Sequence, residues 1–151
     1  MKEQARILVV DDDESVTRTF KVILEENGYI VDTAECGKEA IEKSHKNFYN
    51  ATLIDIRLPD MEGTELLTAM KETTPKMVKI IITGYPALQN AMEAVNKGAD
   101  AYVLKPPKMK ELLSTLKEHL QKQKEEKRLS EEKVAEFIQR RAKEIEKRKT
   151  E

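Results

Sequence analysis

The stretch Ala51-Thr-Leu-Ile-Asp-Ile-Arg-Leu-Pro-Asp-Met-Glu-Gly63 decides how the chain is read. A short apolar run, Leu53-Ile54, stops at one carboxylate, Asp55, and the chain then turns through Leu58-Pro59-Asp60 to Gly63. Pro and Gly bracket a loop, which puts Asp55 at or near the end of a strand. Taken alone, such an Asp is most simply a turn cap. A functional reading needs other groups that converge on the same edge.

Working outward from this strand, the same grammar repeats. Arg6 to Val10 is a brief apolar run ended by Asp11-Asp12-Asp13, and Ile30-Val31 lies in a second run from Tyr29 to Ala34. Met77 to Ile82 stops at Thr83-Gly84, and Ala101 to Leu104 stops at Lys105-Pro106-Pro107. Between the runs, apolar residues recur at helical spacing: Val16, Phe20, Ile23 and Leu24; Ala40, Ile41, Ser44 and Phe48; Leu66, Leu67 and Met70. Leu88, Ala91, Met92 and Val95 follow Pro86, which suits a first helical turn, and Met109, Leu112, Leu113, Leu116 and Leu120 line the last helix. Five strands alternating with five helices call for an α/β fold, a doubly wound parallel sheet in the order 2-1-3-4-5 with helices on both faces.

In such a sheet, ligands sit outside the carboxyl ends of the strands where the order reverses, here between strands one and three. Asp11 and Asp12 end strand one, Asp55 strand three, Thr83 strand four and Lys105 strand five. Three close carboxylates repel, and a divalent cation relieves that repulsion. Oxygen donors with water suit Mg²⁺, or Mn²⁺ in its place. Thr83 supplies a hydroxyl donor and Lys105 a mobile point charge, the equipment that binds a phosphoryl group. An aspartate between a metal and a lysine can act as a nucleophile and form an acyl phosphate, with Lys105 and Thr83 steadying the transferred oxygens.

Val9-Val10-Asp11-Asp12, Leu53 to Gly63, Ile82-Thr83-Gly84-Tyr85 and Tyr102-Val103-Leu104-Lys105-Pro106 together resemble the receiver domain of two-component response regulators. The resemblance covers roughly residues 6–120 and implies a flavodoxin-like fold. It implies that Asp55 accepts a phosphoryl group from a phosphohistidine on a sensor histidine kinase or phosphotransfer protein. Asp12 and Asp55 would bind Mg²⁺ with the main-chain carbonyl of Arg57, Asp11 helping, and the Lys105–Pro106 bond would be cis. It further implies a switch in which Thr83 moves toward the phosphoryl group and Tyr102 turns inward, changing the face of helix four, strand five and helix five where partners bind. Read by itself, Tyr102 is ordinary strand packing. Arg57 and Tyr85 flank the site, while Asp13 and Pro107 have no assigned role.

A competing chemistry is a haloacid-dehalogenase-like phosphohydrolase, which also forms an aspartyl phosphate. Such enzymes need a second acid two residues after the nucleophile and carry the nucleophile on the first strand. Arg57 stands at that position here, on strand three. A signalling switch, not a turnover enzyme, is therefore expected.

Composition sets the remaining bounds. The chain has 151 residues, 36% of them charged, and a formal net charge of -1. That balance gives no reason to expect nucleic acid or an anionic membrane as a partner. The single cysteine, Cys36, reads as a small apolar filler and points to a reducing cytoplasm. No window approaches the length of a membrane span.

The division expected is a receiver domain over residues 1–121 and a charged helical tail over 122–151. The tail carries eleven Lys and Arg against eight acids, leaving it at +3. Residues 121–128 hold no apolar side chain, and Leu129-Ser130-Glu131-Glu132 reads as a fresh helix start with Ser130 as its cap. Val134, Phe137, Ile138, Arg141 and Ile145 then make a thin stripe. A solvated helix competes with a short coiled-coil seam, so the tail is read as a linker, a docking helix or such a seam, with a homodimer through it or through the face of helix four, strand five and helix five as one arrangement open to the chain.

Overall fold

The computed structural model describes residues 4–84 and 88–150. The expected position of Pro86 in a first helical turn, and that of Tyr85 beside the site, fall outside them. Strands β1 (Arg6–Val10), β2 (Ile30–Ala34), β3 (Ala51–Asp55), β4 (Val78–Thr83) and β5 (Ala101–Leu104) alternate with helices α1 (Glu14–Glu26), α2 (Gly37–Lys46), α3 (Gly63–Ala69), α4 (Leu88–Asn96) and α5 (Met109–Thr150). All four strand pairs are parallel, in the order β2-β1-β3-β4-β5. The flavodoxin-like sheet expected from the sequence is therefore present.

The central strands are mostly apolar because both sheet faces are covered. Leu8, Val10, Ile54 and Ile81 point to one layer, where Ala40 of α2, Leu66 and Leu67 of α3 and Ala94 of α4 meet them. Ile7, Val9, Leu53, Ile80 and Ile82 point to the other, against Phe20 and Leu24 of α1 and Leu112 and Leu116 of α5. Successive residues of one strand feed opposite layers, so a slip by one residue would exchange the two cores.

The stripe assigned to α4 needs correction. Met92 and Val95 are 58% and 63% exposed, and Ala94 is the residue buried against the core. A small side chain lets the helix lie close to the sheet, which turns its larger apolar residues outward.

The helix start at Ser130 is likewise overturned. α5 runs unbroken from Met109 to Thr150, and Ser130 lies in its interior. Lys, Gln, Glu and Arg are good helix formers, and no Gly or Pro follows Pro107. Ion pairs at helical spacing join Lys122 to Glu118 and Arg128 to both Glu125 and Glu132.

The expected boundary after Gln121 falls inside this helix. Two residues further on, Gln123 is buried; its amide donates to the carbonyls of Asn50 at 2.9 Å and Lys76 at 2.7 Å, and its oxygen accepts from Asn50 Nδ2 at 3.3 Å. Past Gln123 the side chains are exposed. No helix among the described residues is long and apolar enough to cross a membrane.

Candidate functional site

The carboxyl ends of β1, β3, β4 and β5 share one edge of the sheet, and their register brings the chemistry-bearing residues level. Val10 pairs with Ile54, Asp55 with Ile82 and Thr83 with Leu104. Asp11 and Asp12 therefore follow β1 beside Asp55, the last residue of β3, and Lys105 follows β5 one strand beyond Thr83. A carboxylate oxygen from each of Asp11, Asp12 and Asp55 lies within 4.8 Å of the other two. Asp11 is buried, Asp55 half-buried and Asp12 exposed, so the cluster opens to solvent on the Asp12 side.

The Lys105 ammonium enters this cluster from β5. Its Nζ lies 2.6 Å from Asp11 Oδ2 and 3.3 Å from Asp55 Oδ2. Burial alone would lower the lysine's affinity for its proton, but the hydrogen bond and charge of Asp11, with those of Asp55, outweigh it and hold the ammonium above its ordinary range. Asp55 is displaced the other way. Burial first, and then the Asp11 charge, raise its carboxyl above the usual range despite Lys105. One ammonium thus leaves three carboxylates incompletely neutralised, and all the donors are hard oxygens. That is the donor set a small divalent cation fits.

Local structure fixes each of these groups. Asp11 Oδ1 accepts from the Asp13 amide at 2.9 Å, tying the acidic run into a turn. Asp13, which had no expected role, caps α1: its Oδ1 accepts from the Ser15 amide at 2.9 Å and the Ser15 hydroxyl at 2.6 Å. The Lys105 amide donates to the Thr83 carbonyl at 2.7 Å, and the Lys105–Pro106 peptide is cis. Thr83 is fully buried and lies close enough to the Tyr102 phenol to oppose the rise that burial imposes on it. The two residues expected to act as a switch are thus in contact.

The loop after Asp55 is closed at its base. Arg57 and Glu62 form an antiparallel bridge, the Gly63 amide donates to the Ile56 carbonyl at 2.6 Å, and Leu58 N donates to Met61 O at 3.2 Å. Arg57 N lies 3.5 Å from Asp55 Oδ1, a long contact. A Cβ on Gly63 would stand 2.4 Å from the Asp55 carbonyl oxygen and 2.9 Å from Ile56 Cα, so only glycine permits this closure. Asp60, at the tip, accepts from the amides of Gly37 at 2.8 Å and Lys38 at 2.9 Å. Because Cys36 makes no side-chain cap, Asp60 caps α2 from a distance and ties the loop to it. Sequence reasoning missed this bond, since nothing local marks an acid 23 residues away as the cap.

A family model described as the response regulator receiver domain matches residues 7–117. The chain belongs to this family. Among solved receivers, a CheY-like response regulator receiver domain protein from Methanospirillum hungatei JF-1 is 45% identical with a TM-score of 0.79, covering 82% of this chain and 99% of that one. The beryllofluoride-activated NtrC4 receiver domain dimer is 37% identical with a TM-score of 0.73, covering 78% and 98%. Among curated relatives, the transcriptional regulatory protein ZraR of Klebsiella oxytoca is 38% identical over 118 residues, 78% of this chain. The receiver spans only 27% of that regulator's length.

Proposed function

We propose that this receiver is a phosphorylation-dependent switch in which Asp55 is the covalent phosphate acceptor. The observation that carries the reading is the Lys105 ammonium held between Asp11 and Asp55 at the strand ends, with an Asp12 oxygen in the same cluster. Asp12, Asp55 and the Arg57 carbonyl would hold Mg²⁺, or Mn²⁺, with Asp11 assisting; the bound cation supplies charge neutralisation for the carboxylates and the incoming phosphoryl oxygens.

The chain's own residues do the rest. An Asp55 oxygen attacks the phosphorus of a donor phosphohistidine, a P–O bond forms, and the P–N bond breaks. The donor imidazole, protonated on its other nitrogen, leaves as the neutral ring. Lys105 exchanges its contact with Asp55 for one with a phosphoryl oxygen, and its raised proton affinity keeps it cationic throughout. The Thr83 hydroxyl turns toward a second phosphoryl oxygen and away from the nearby Tyr102 phenol, which couples the acyl phosphate to the position of Tyr102 on β5.

The output face is the surface of α4, β5 and α5, where Met92, Val95 and Leu104 are exposed apolar residues. A second copy of the chain or another protein docks there, or along the α5 extension, where Val134, Phe137, Ile138 and Ile145 are exposed. The sensor partner is a cytoplasmic histidine kinase domain or phosphotransfer protein. The receiver extends over residues 1–121 and the remainder of α5 serves as a linker or docking helix. Self-phosphorylation and loss of the phosphate at Asp55 are the only chemistry assigned to it.

Acetyl phosphate with Mg²⁺ should label the parent protein with one alkali-labile phosphate and leave Asp55→Asn unlabelled. Equal labelling of the variant removes Asp55 from this role. Steady phosphate release from a phosphomonoester would favour a hydrolase instead.

A further inference from the structure

At the opposite edge of the sheet from the carboxylates, a cavity of about 420 Å³ opens between the end of α3, the start of β4 and the end of α4. Four lysines line it, Lys71, Lys76, Lys79 and Lys97, with Glu72 as the only lining carboxylate among the described residues. Most surface lysines are merely solvated, but one of these is not on the surface. Lys79 occupies the second position of β4, where a buried parallel strand calls for an apolar residue, and it is 8% exposed. Its ammonium donates to the Leu67 carbonyl of α3, which leaves two of its three hydrogens to other acceptors.

The cationic charge at this cavity is not balanced by the acids nearby. Lys97 pairs with Glu93 at 2.9 Å, and Asp100 accepts from the Lys79 main-chain amide at 2.8 Å. Yet the Lys79 ammonium is held below its ordinary range by burial and then by the neighbouring Lys76 charge, ahead of the opposing pull of Glu72 and Asp100. Nothing in the proposed phosphoacceptor chemistry uses this group. A buried cation costs stability unless it is paired, and its hydrogen bond to a neutral carbonyl leaves its charge open to an anion.

We propose that this cavity binds a small molecule carrying a chain of two or more phosphates, with Lys79 at its floor and Lys71, Lys76 and Lys97 at its walls. The volume suits a small-molecule site, and separate ammonium point charges suit successive phosphates. Nucleotides and inorganic diphosphate share this chemistry. The site is independent of Asp55 and of the reading given to it.

The test is titration of the ¹⁵N-labelled full chain, free of divalent cations, with pyrophosphate, ADP and adenosine in parallel. Pyrophosphate and ADP should shift the amides of residues 71–74, 76–79, 97 and 98 and saturate, while adenosine should not. Equal affinity for the two anions assigns the site to the phosphate chain alone, and tighter ADP binding assigns it to a nucleoside diphosphate. Because Lys79→Met alters a buried position, the charge reversals Lys71→Glu and Lys76→Glu provide the decisive arms; each should weaken binding about tenfold. Lys143→Glu, on the exposed end of α5, should not change it. Shifts that are absent, that cluster around Lys105, or that respond to Lys143→Glu as strongly as to Lys76→Glu overturn the proposal.

Discussion

At the scale of single residues, the site is built from groups that interrupt apolar runs, and that is why it can be read without coordinates. Asp11, Asp55, Thr83 and Lys105 each end or follow a strand, and the parallel register makes them neighbours. Asp60 interrupts nothing, so its capping bond was not legible; only the folded loop brings its carboxylate to the amides of Gly37 and Lys38. Asp13 caps locally, two residues before Ser15, a signal carried by an Asp directly ahead of a helix and left unassigned in the sequence reading. Two outcomes belong here. Gly63→Ala places a methyl against the Asp55 carbonyl and should destabilise the fold by about 3 kcal/mol in urea unfolding, since backbone rather than a flexible side chain must give way. The second concerns Asp55, whose carboxyl titrates above its ordinary 3.8 in the folded chain. The folded state then holds the proton more tightly than the unfolded one. Any stability from Asp55 is therefore present below 3.8 and lost as pH rises through the raised value. Without divalent cations, Asp55→Asn should accordingly gain on the order of 1 kcal/mol at neutral pH, shrinking as the solution is acidified. A constant difference across that range, followed by thermal melts, would contradict the electrostatic account.

Elements carry a different lesson. Periodicity located all five strands and the first four helices, but it misassigned the inward face of α4 and broke α5 in two. Both errors come from counting apolar residues. Ala94 is small and was outvoted by Met92 and Val95, and Gln123 is polar yet is the residue that seats α5 against the foot of the sheet. Removing that seat with Gln123→Ala should cost about 1 to 2 kcal/mol, because the Asn50 side chain and two carbonyls lose their partner. Hydrogen exchange would locate the loss in the turns of α5 around residue 123, with the strands unaffected. Asp60→Ala removes the cap of α2 and the tie to the loop after Asp55, and should lower the melting temperature. Its carboxyl is held below the ordinary range by the Lys38 and Gly37 amides, so its contribution is complete above 3.8 and disappears as pH falls through the lowered value. The difference between the parent and Asp60→Ala should therefore narrow only in strong acid.

For the molecule as a whole, the topology was legible because a short apolar strand followed by a helix recurs five times, with four of the strands ended by a polar group. What the extension of α5 does was not, because a solvated helix and a weak seam share one pattern. Val134, Ile138 and Ile145 continue, at helical spacing, the stripe that Leu112, Leu116 and Leu120 present to the sheet, but among the described residues they stand exposed. Light scattering of the full chain with and without beryllofluoride should show a larger species when the phosphate mimic is bound. Truncation after Gln123 should abolish that change if the extension is the seam, and leave it intact if the α4, β5 and α5 surface suffices.

The continuity of α5 has a mechanical consequence. At about 1.5 Å per residue, the turns beyond Gln123 reach some 40 Å from the sheet as a single stiff lever pivoted at its foot. With Gln123 as the fulcrum, a tilt of only about 10° where α5 leaves the core would sweep the far end through roughly 7 Å. A movement too small to repack the core is thereby magnified into one that another domain can feel.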